Sequence, residues 1–473
     1  MKNQYANLLR LVFYAVMAVS MTGLAGCTLV QRTDPYAPVP NVQNTRIGQS
    51  MELPSEKISL IPLQEPLTID QAIQYALANN PEVGATRWDI AAAEARVDTA
   101  QSARWPVLNA EGGWQYFLDD QRLIAARKDG EKGIFDQDIS RGDLVLKLPL
   151  FTGGKITSEI SSAELFRLSE EKRLARSKEE LVFNVSTTFY AILSQHEVIR
   201  SLEFSTTAME EHRKQVSDLL AVQKAARVDL LRTEVRLADL RQSLVREQNI
   251  LAVQRRLLVN LMGLDDPADQ LVIKGELPAA SDVNRTAADI IPRALQQRND
   301  YLAARARLEA QAGRVDAARA GYWPTVSLLA SYGIRAAGSG DSEDIGAVGL
   351  GVSVPLFDGG RTEAQVRQEN AALSAAQERL RKLELQIRQE VETAVLDIRS
   401  SAQRVDAVRQ AVEQAKESLR IERMKYDLGS GSLTDVLDAQ SALLQSETNY
   451  ARALADYHIA TAKLRLATEE DSL

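Results

Sequence analysis

The sequence predicts a membrane α+β protein made of two copies of one unit, with four β-strands per protomer contributing to a β-barrel and very long helices continuing it. Three observations carry that reading. Short motifs recur at constant offsets. Two segments alternate large apolar residues with small or polar ones. Two long stretches contain neither glycine nor proline.

The repeat comes first, because self-similarity at a fixed spacing decides an architecture before any single element does. Ala76-Leu77 and Trp105-Pro106 return as Ala294-Leu295 and Trp323-Pro324, an offset of 218. Pro149-Leu150-Phe151-Thr152-Gly153-Gly154-Lys155 returns as Pro355-Leu356-Phe357-Asp358-Gly359-Gly360-Arg361, an offset of 206. Val185-Ser186-Thr187 and Asp229-Leu230-Leu231 keep that offset against Val391-Glu392-Thr393 and Asp435-Val436-Leu437. The change of offset puts a 12-residue excess in the first copy, between its Trp-Pro and its Pro-Leu-Phe. Each copy reads as helix, two strands, long helix, helix. The chain divides into a signal peptide (1–26), a lipidated extended strap (27–66), a first repeat (67–266), a linker (267–285) and a second repeat (286–473).

Thr68-x-x-Gln71 is a capping-box pattern, so the first helix is expected over 68–104, stopping before Pro106, with a counterpart over 286–322. Leu144, Leu146, Leu148 and Leu150 alternate with Asp143, Val145, Lys147 and Pro149. Val348, Leu350, Val352 and Val354 alternate with Ala347, Gly349, Gly351 and Ser353. Period two is a strand signature, and with no further sheet nearby the apolar face has lipid as its partner. The strands of the first copy are expected to be joined by a long polar connection over 119–141, those of the second by the shorter Gly338-Ser339-Gly340-Asp341. Residues 155–262 and 361–428 lack glycine and proline, which globular loops would need. Val366, Leu373, Leu380 and Ile387 recur every seven residues, and Val391, Val395, Ile398, Ala402, Val405, Val412 and Leu419 continue a coiled-coil seam. A helix over the second stretch is about 100 Å long.

Composition excludes several classes. Aromatics are 5% and the net charge is −8 with both signs interspersed, which is no nucleic-acid footprint. The only cysteine is Cys27, so no intrachain disulfide forms. His196, His212 and His458 lie far apart, and no phosphate loop or nucleophile elbow occurs. No cofactor and no catalysis are expected. At the N-terminus, Lys2 and Arg10 precede and enter an apolar run at 11–19, followed by Leu24-Ala25-Gly26-Cys27. This is a secretory signal peptide ending in a lipobox, with lipid on Cys27; the alternative is an ordinary signal peptide with a chance cysteine. Thr28 in place of aspartate resembles the bacterial lipoproteins sent to the outer membrane. No later run of apolar residues is long enough for a transmembrane helix, so any crossing must be a closed barrel. Four strands cannot close one, since the smallest membrane barrels have about eight. The chain therefore needs partners to supply strands, in a number these arguments leave open.

The duplicated layout resembles the outer-membrane efflux proteins of the TolC type, lipoprotein branch. The two Pro-Leu-Phe-x-Gly-Gly turns, Asn80-Pro81, and Tyr426-x-x-Gly429 followed by Asp435-Val436-Leu437-Asp438-Ala439 carry it, over about residues 67–468. The resemblance implies a homotrimer with a 12-stranded barrel in the outer membrane of a Gram-negative bacterium and a periplasmic 12-helix barrel closed at its tip. It also implies a passive duct docking to a periplasmic adaptor (membrane fusion) protein and an inner-membrane pump of RND or ABC type. The alternatives are the outer-membrane component of a type I protein-secretion system and a non-channel periplasmic coiled-coil lipoprotein. Asp435 and Asp438 would line the periplasmic gate; otherwise they are helix N-terminal acids favoured by the helix dipole. Tyr426 would latch the tip, although the arginine expected two residues after the glycine is Gly431; otherwise it is a seam residue. Gly153, Gly154, Gly359 and Gly360 read as strand-to-helix turns. Tip loops over 221–228 and 428–434 would meet the adaptor, or be plain solvated turns. Trp105, Trp114 and Trp323 fall where interfacial belts collect aromatics, though Trp114 fits equally inside a loop.

Overall fold

The computed structural model describes residues 66–124, 134–265, 271–280 and 286–469. Cys27, the signal peptide and the strap before residue 66 lie outside the described residues. The first copy comprises α1 (Ile69–Asn79), α2 (Pro81–Ser102), β1 (Val107–Ile124), β2 (Ile134–Phe151), α3 (Lys155–Ala221) and α4 (Arg227–Leu261). The second comprises α5 (Ala287–Gln297), α6 (Asn299–Arg319), β3 (Thr325–Ala337), β4 (Ser342–Ser353), α7 (Arg361–Asp427) and α8 (Leu433–Thr468). The same offsets of 218 and 206 relate the helices: α5 repeats α1, and α7 repeats α3 at both of its ends.

The first helix of each copy is not continuous, contrary to expectation. Thr68 does cap α1, its backbone N–H donating to Gln71 Oε1 at 2.9 Å and the Gln71 N–H returning to Thr68 Oγ1 at 3.4 Å. The helix then ends at Asn80, which is extended at φ −61°, ψ 125°. The ring of Pro81 bars the helical region to the residue before it. Asn80 Oδ1 then caps α2, accepting from the N–H groups of Glu82 and Val83 at 2.9 and 3.3 Å. In the second copy Arg298 takes the same backbone, φ −58°, ψ 123°, with no proline behind it. A polar network replaces the proline. Arg298 is 1% exposed. Its guanidinium donates to Asp300 at 2.6 and 3.1 Å, to Glu390 of α7 at 2.8 Å and to the Ala467 carbonyl at 3.4 Å. The Asn299 N–H donates to both carboxylate oxygens of Glu469, at 2.9 and 3.0 Å.

The strands form one antiparallel sheet in the order β1-β2-β3-β4. The register aligns Leu108, Leu146, Ala330 and Val348 across all four strands, with Leu148, Leu328 and Leu350 in a neighbouring row. Directly opposed residues share a face, so the helix-proximal part of one face is apolar across all four strands, and Asp138, Ser140, Ser342 and Asp344 follow on that face toward the far end. The other carries Asn109, Glu111, Asp143, Lys147, Ser331 and Gly349. Val348, Leu350 and Val352 are 78%, 67% and 65% exposed, and nothing in the described chain covers them. β1 and β4 each pair on one side only. The polar connection expected over 119–141 is largely strand: β1 and β2 run 18 residues each, with Gln121 opposite Asp136 and Arg122 opposite Phe135. A paired backbone is satisfied with or without apolar side chains, so the ribbon continues past the apolar band.

Below the sheet, α3 and α7 have 67 residues each, about 100 Å of helix. Their cores repeat as well: Val185, Phe189, Ile192 and Leu258 in the first copy stand where Val391, Val395, Ile398 and Leu464 stand in the second. The expected seam is buried from Ile387 to Leu419, with Ala402 half-covered. Val366, Leu373 and Leu380, close to the sheet, are only half-buried within one chain. Leu67 forms a parallel bridge with Ile273, pinning the start of the first copy to the segment between the copies.

Candidate functional site

At the end of the helices away from the sheet, two loops turn α3 into α4 and α7 into α8. The second wraps tightly onto α7: the N–H groups of Ser430 and Gly431 both donate to the Lys425 carbonyl, at 2.9 and 3.0 Å. Gly429 turns the chain at φ +74°, and its counterpart in the first copy, Gln223, does so at φ +60°. Asp435 closes a capping box. The Ser432 N–H donates to Asp435 Oδ2 at 3.3 Å, and the Asp435 N–H donates to Ser432 Oγ at 3.2 Å. Asp229 repeats half of it, accepting from the Ala226 N–H at 3.3 Å. Asp435 and Asp438 lie one turn apart on α8 and both are exposed. Asp438 borders a groove between α4 and α8 that Leu231, Arg232, Val235, Arg236 and Leu437 also line. Arg232 reaches across it to Thr434 Oγ1 at 3.4 Å, and Arg236 to Ser441 Oγ. Tyr426 is half-buried against the cluster of Leu419, Val436 and Ala439, which Leu443 also covers. Its ring meets that of His212 on α3 edge to face, centroids 5.9 Å apart.

The four turn glycines all have positive φ: +65° and +88° at Gly153 and Gly154, +68° and +83° at Gly359 and Gly360. Gly154 and Gly360 are the residues from which α3 and α7 start. Trp105 and Trp323 are exposed and precede β1 and β3 by two residues. Trp114 lies within β1, opposite Ser140 and on the apolar face, not at a strand end as expected; the strand outruns the apolar band. Trp114 lies seven residues into β1 from Val107, about 23 Å along the strand. Tyr332, opposite Leu144 on the same face, stands nine residues after Trp323.

The sequence model of the outer membrane efflux protein family matches residues 72–264 and 290–469. The chain belongs to that family. It is 23% identical to the outer membrane protein TolC of Vibrio cholerae over 399 residues, 83% of this chain and 88% of that one. It is 25% identical to the toluene efflux pump outer membrane protein TtgC of Pseudomonas putida over 447 residues, 91% of this chain and 90% of the other. The fold matches the outer membrane protein VceC of Vibrio cholerae with a TM-score of 0.71 at 20% identity, over 85% of this chain and 95% of VceC. It also matches a membrane protein from Pseudomonas aeruginosa with a TM-score of 0.73 at 23% identity, over 85% and 92%. This efflux protein is an outer-membrane channel component that combines a β-barrel sheet with α-barrel helices, and its family is one of transport proteins.

Sequence reasoning missed two features of the efflux protein. His212 was noted only as one of three scattered histidines. The network around Arg298 was not found, although the 218 offset sets Arg298 against Asn80 and so flags its backbone. That network extends to Glu179 of α3, whose Oε1 accepts from Asn299 Nδ2 at 2.9 Å while Oε2 is buried without a partner. Burial, then the neighbouring Glu469, push the Glu179 carboxyl up to about 8. Donors from Asn299 and Arg176 converge on Glu469, so the proton of the pair resides on Glu179. A carboxyl whose folded pKa is raised destabilises the fold progressively as pH rises from its unfolded value to its folded one. Thermal denaturation of purified protein is expected to show Glu179→Gln more stable than wild type at pH 8 and similar to it at pH 4.5. Equal stability at both pH values would mean that Glu179 is ionised without cost.

Proposed function

We propose that three copies of this chain close one 12-stranded barrel in the outer membrane and one 12-helix tube below it, a passive duct for cargo chosen by an inner-membrane pump of RND or ABC type. The observation that carries this is the sheet: apolar across all four strands on the helix-proximal part of one face, polar and small on the other, with two edges left to pair. In lipid each unpaired backbone group costs several kcal/mol, so neighbouring copies must supply the missing strands. Lipid on Cys27 would anchor the strap. The loops at 221–228 and 428–434, the points farthest from the sheet, are the surfaces for a periplasmic adaptor. Asp435 and Asp438 are the gate acids, brought by threefold symmetry into two stacked rings that favour cations. Asp435 has a second role in its capping box, so the test must remove charge and keep the cap.

In planar bilayers the wild type is expected to give small, cation-selective single-channel conductance. Asp435→Asn/Asp438→Asn, which retains an acceptor for the cap, is expected to keep the conductance size and to lose most of the selectivity. Unchanged selectivity would remove the acids from the gate. Absence of conductance from inserted wild-type protein would count against the duct itself.

A further inference from the structure

We infer that His212 is the positioning residue that holds Tyr426, and with it the loop from α7 to α8, in the closed tip; this rests on the gate reading above. Position 431, where the family resemblance places an arginine tether, has no room for one. A Cβ on Gly431 would lie 2.9 Å from Lys425 Cβ and 3.0 Å from the Tyr426 nitrogen. The loop is wound too closely onto the last turn of α7 for any side chain there. The tether has to come from another element, and α3 supplies it. The His212 and Tyr426 rings meet at 5.9 Å with their planes 63° apart, an arrangement that the aromatic quadrupole favours. The contact joins the long helix of the first copy, nine residues before its end, to the last turn of the long helix of the second, beside the loop that follows it.

The chemistry of the ring adds a condition. His212 Nε2 is buried and has no hydrogen-bond partner. In a neutral imidazole one nitrogen carries no proton; in imidazolium both are donors, and this one would be a buried charged N–H without an acceptor. The charged groups that face the ring are Arg423 and Asp427 of α7. Burial first and Arg423 second hold the imidazole below its ordinary range, against the opposing pull of Asp427. Asp229 at the start of α4 acts on Tyr426, whose phenol is raised by burial, by Asp229 and by Asp427 and so stays neutral while the imidazole titrates. A depressed histidine stabilises the closed tip in full above the ordinary value of about 6.5, and that contribution is lost as pH falls below it. Acid therefore releases the contact.

The test is single-channel recording at pH 7.5 and pH 5.5 on wild type, His212→Gln, His212→Phe and Asp435→Asn/Asp438→Asn. Wild-type open probability is expected to rise on acidification, the direction that a lowered imidazole pKa in the closed tip requires. His212→Gln should be raised already at pH 7.5 and insensitive to pH. His212→Phe, which keeps the ring contact and cannot titrate, should stay closed at both. If His212→Gln matches wild type at pH 7.5, the positioning role is overturned. If His212→Phe still opens in acid, the release by protonation is overturned. Either failure beside altered selectivity in the Asp435→Asn/Asp438→Asn channel would leave the gate reading standing. Silence from every protein would overturn both.

Discussion

Arg298→Ala is expected to lose about 1.5–3 kcal/mol of stability, because it removes a buried guanidinium bonded to three partners and leaves Asp300, 22% exposed, without its cation. Arg298 is almost wholly buried where α5 meets α6, and it bonds Asp300, Glu390 and the Ala467 carbonyl. Burial alone would push the Asp300 carboxyl up; the hydrogen bonds and charge of Arg298 outweigh it and hold the carboxyl below its usual range. A depressed carboxyl stabilises the fold above its unfolded pKa and loses that contribution as pH falls through the folded value. The gap between wild type and Arg298→Ala should therefore be wide at pH 7 and narrow below pH 4. Arg298→Lys should recover little, since an ammonium cannot reproduce the two-pronged bond to Asp300. Denaturant titration of the detergent-purified protein reads the effect. A loss of less than about 1 kcal/mol at pH 7 would show that α5 and α6 hold their angle without the network.

Gly153→Ala carries the second large effect. Its Cβ would stand 2.6 Å from Trp323 Cβ and 3.0 Å from the Ala320 carbonyl oxygen, at a φ of +65°. The overlap costs about 1–3 kcal/mol and the left-handed backbone about 1–2 more. The repeat supplies its own controls. At Gly154 and at Gly359, the twin of Gly153, an added Cβ meets nothing within 4 Å. Gly154→Ala and Gly359→Ala should therefore show the backbone cost alone. The midpoint for loss of the assembled oligomer on heating should fall furthest for Gly153→Ala. Equal shifts in all three would mean that Trp323 moves aside freely.

The long helices are legible because absence is informative: no glycine or proline interrupts 155–262, and α3 and α7 start at the glycine pairs, although the turn from α3 to α4 at Gln223 falls inside that stretch. The duplication was legible because offsets are arithmetic. The break at Asn80 needed only the rule for residues before proline, although the expected helix ran through it. The break at Arg298 is hard to read locally, since its guanidinium is held by Asp300 two residues on and also by residues 92 and 169 positions away. β1 and β2 extend beyond what the sequence pattern predicts because periodicity reports the environment of side chains, whereas strand pairing is a property of the backbone. Asp435 reads from the sequence as a gate acid or as a helix N-terminal acid favoured by the dipole, and the structure places it in a capping box at the start of α8. The partnership of His212 with Tyr426 joins two helices of different copies, a contact that spacing along one helix cannot reveal.

The matched span of α3 and α7 has a consequence for the length of the tube. Both start at a glycine pair beneath one sheet, and both end 67 residues later at a turn with left-handed backbone. Removing one heptad from either alone would draw its tip back by about 10 Å and part the two loops. Removing the corresponding heptad from both, with the matching heptads of α4 and α8 that return along them, would shorten the tube and leave its mouth intact. The constant offset of 206 from Pro149 to Leu231 records the equal length of the two helices.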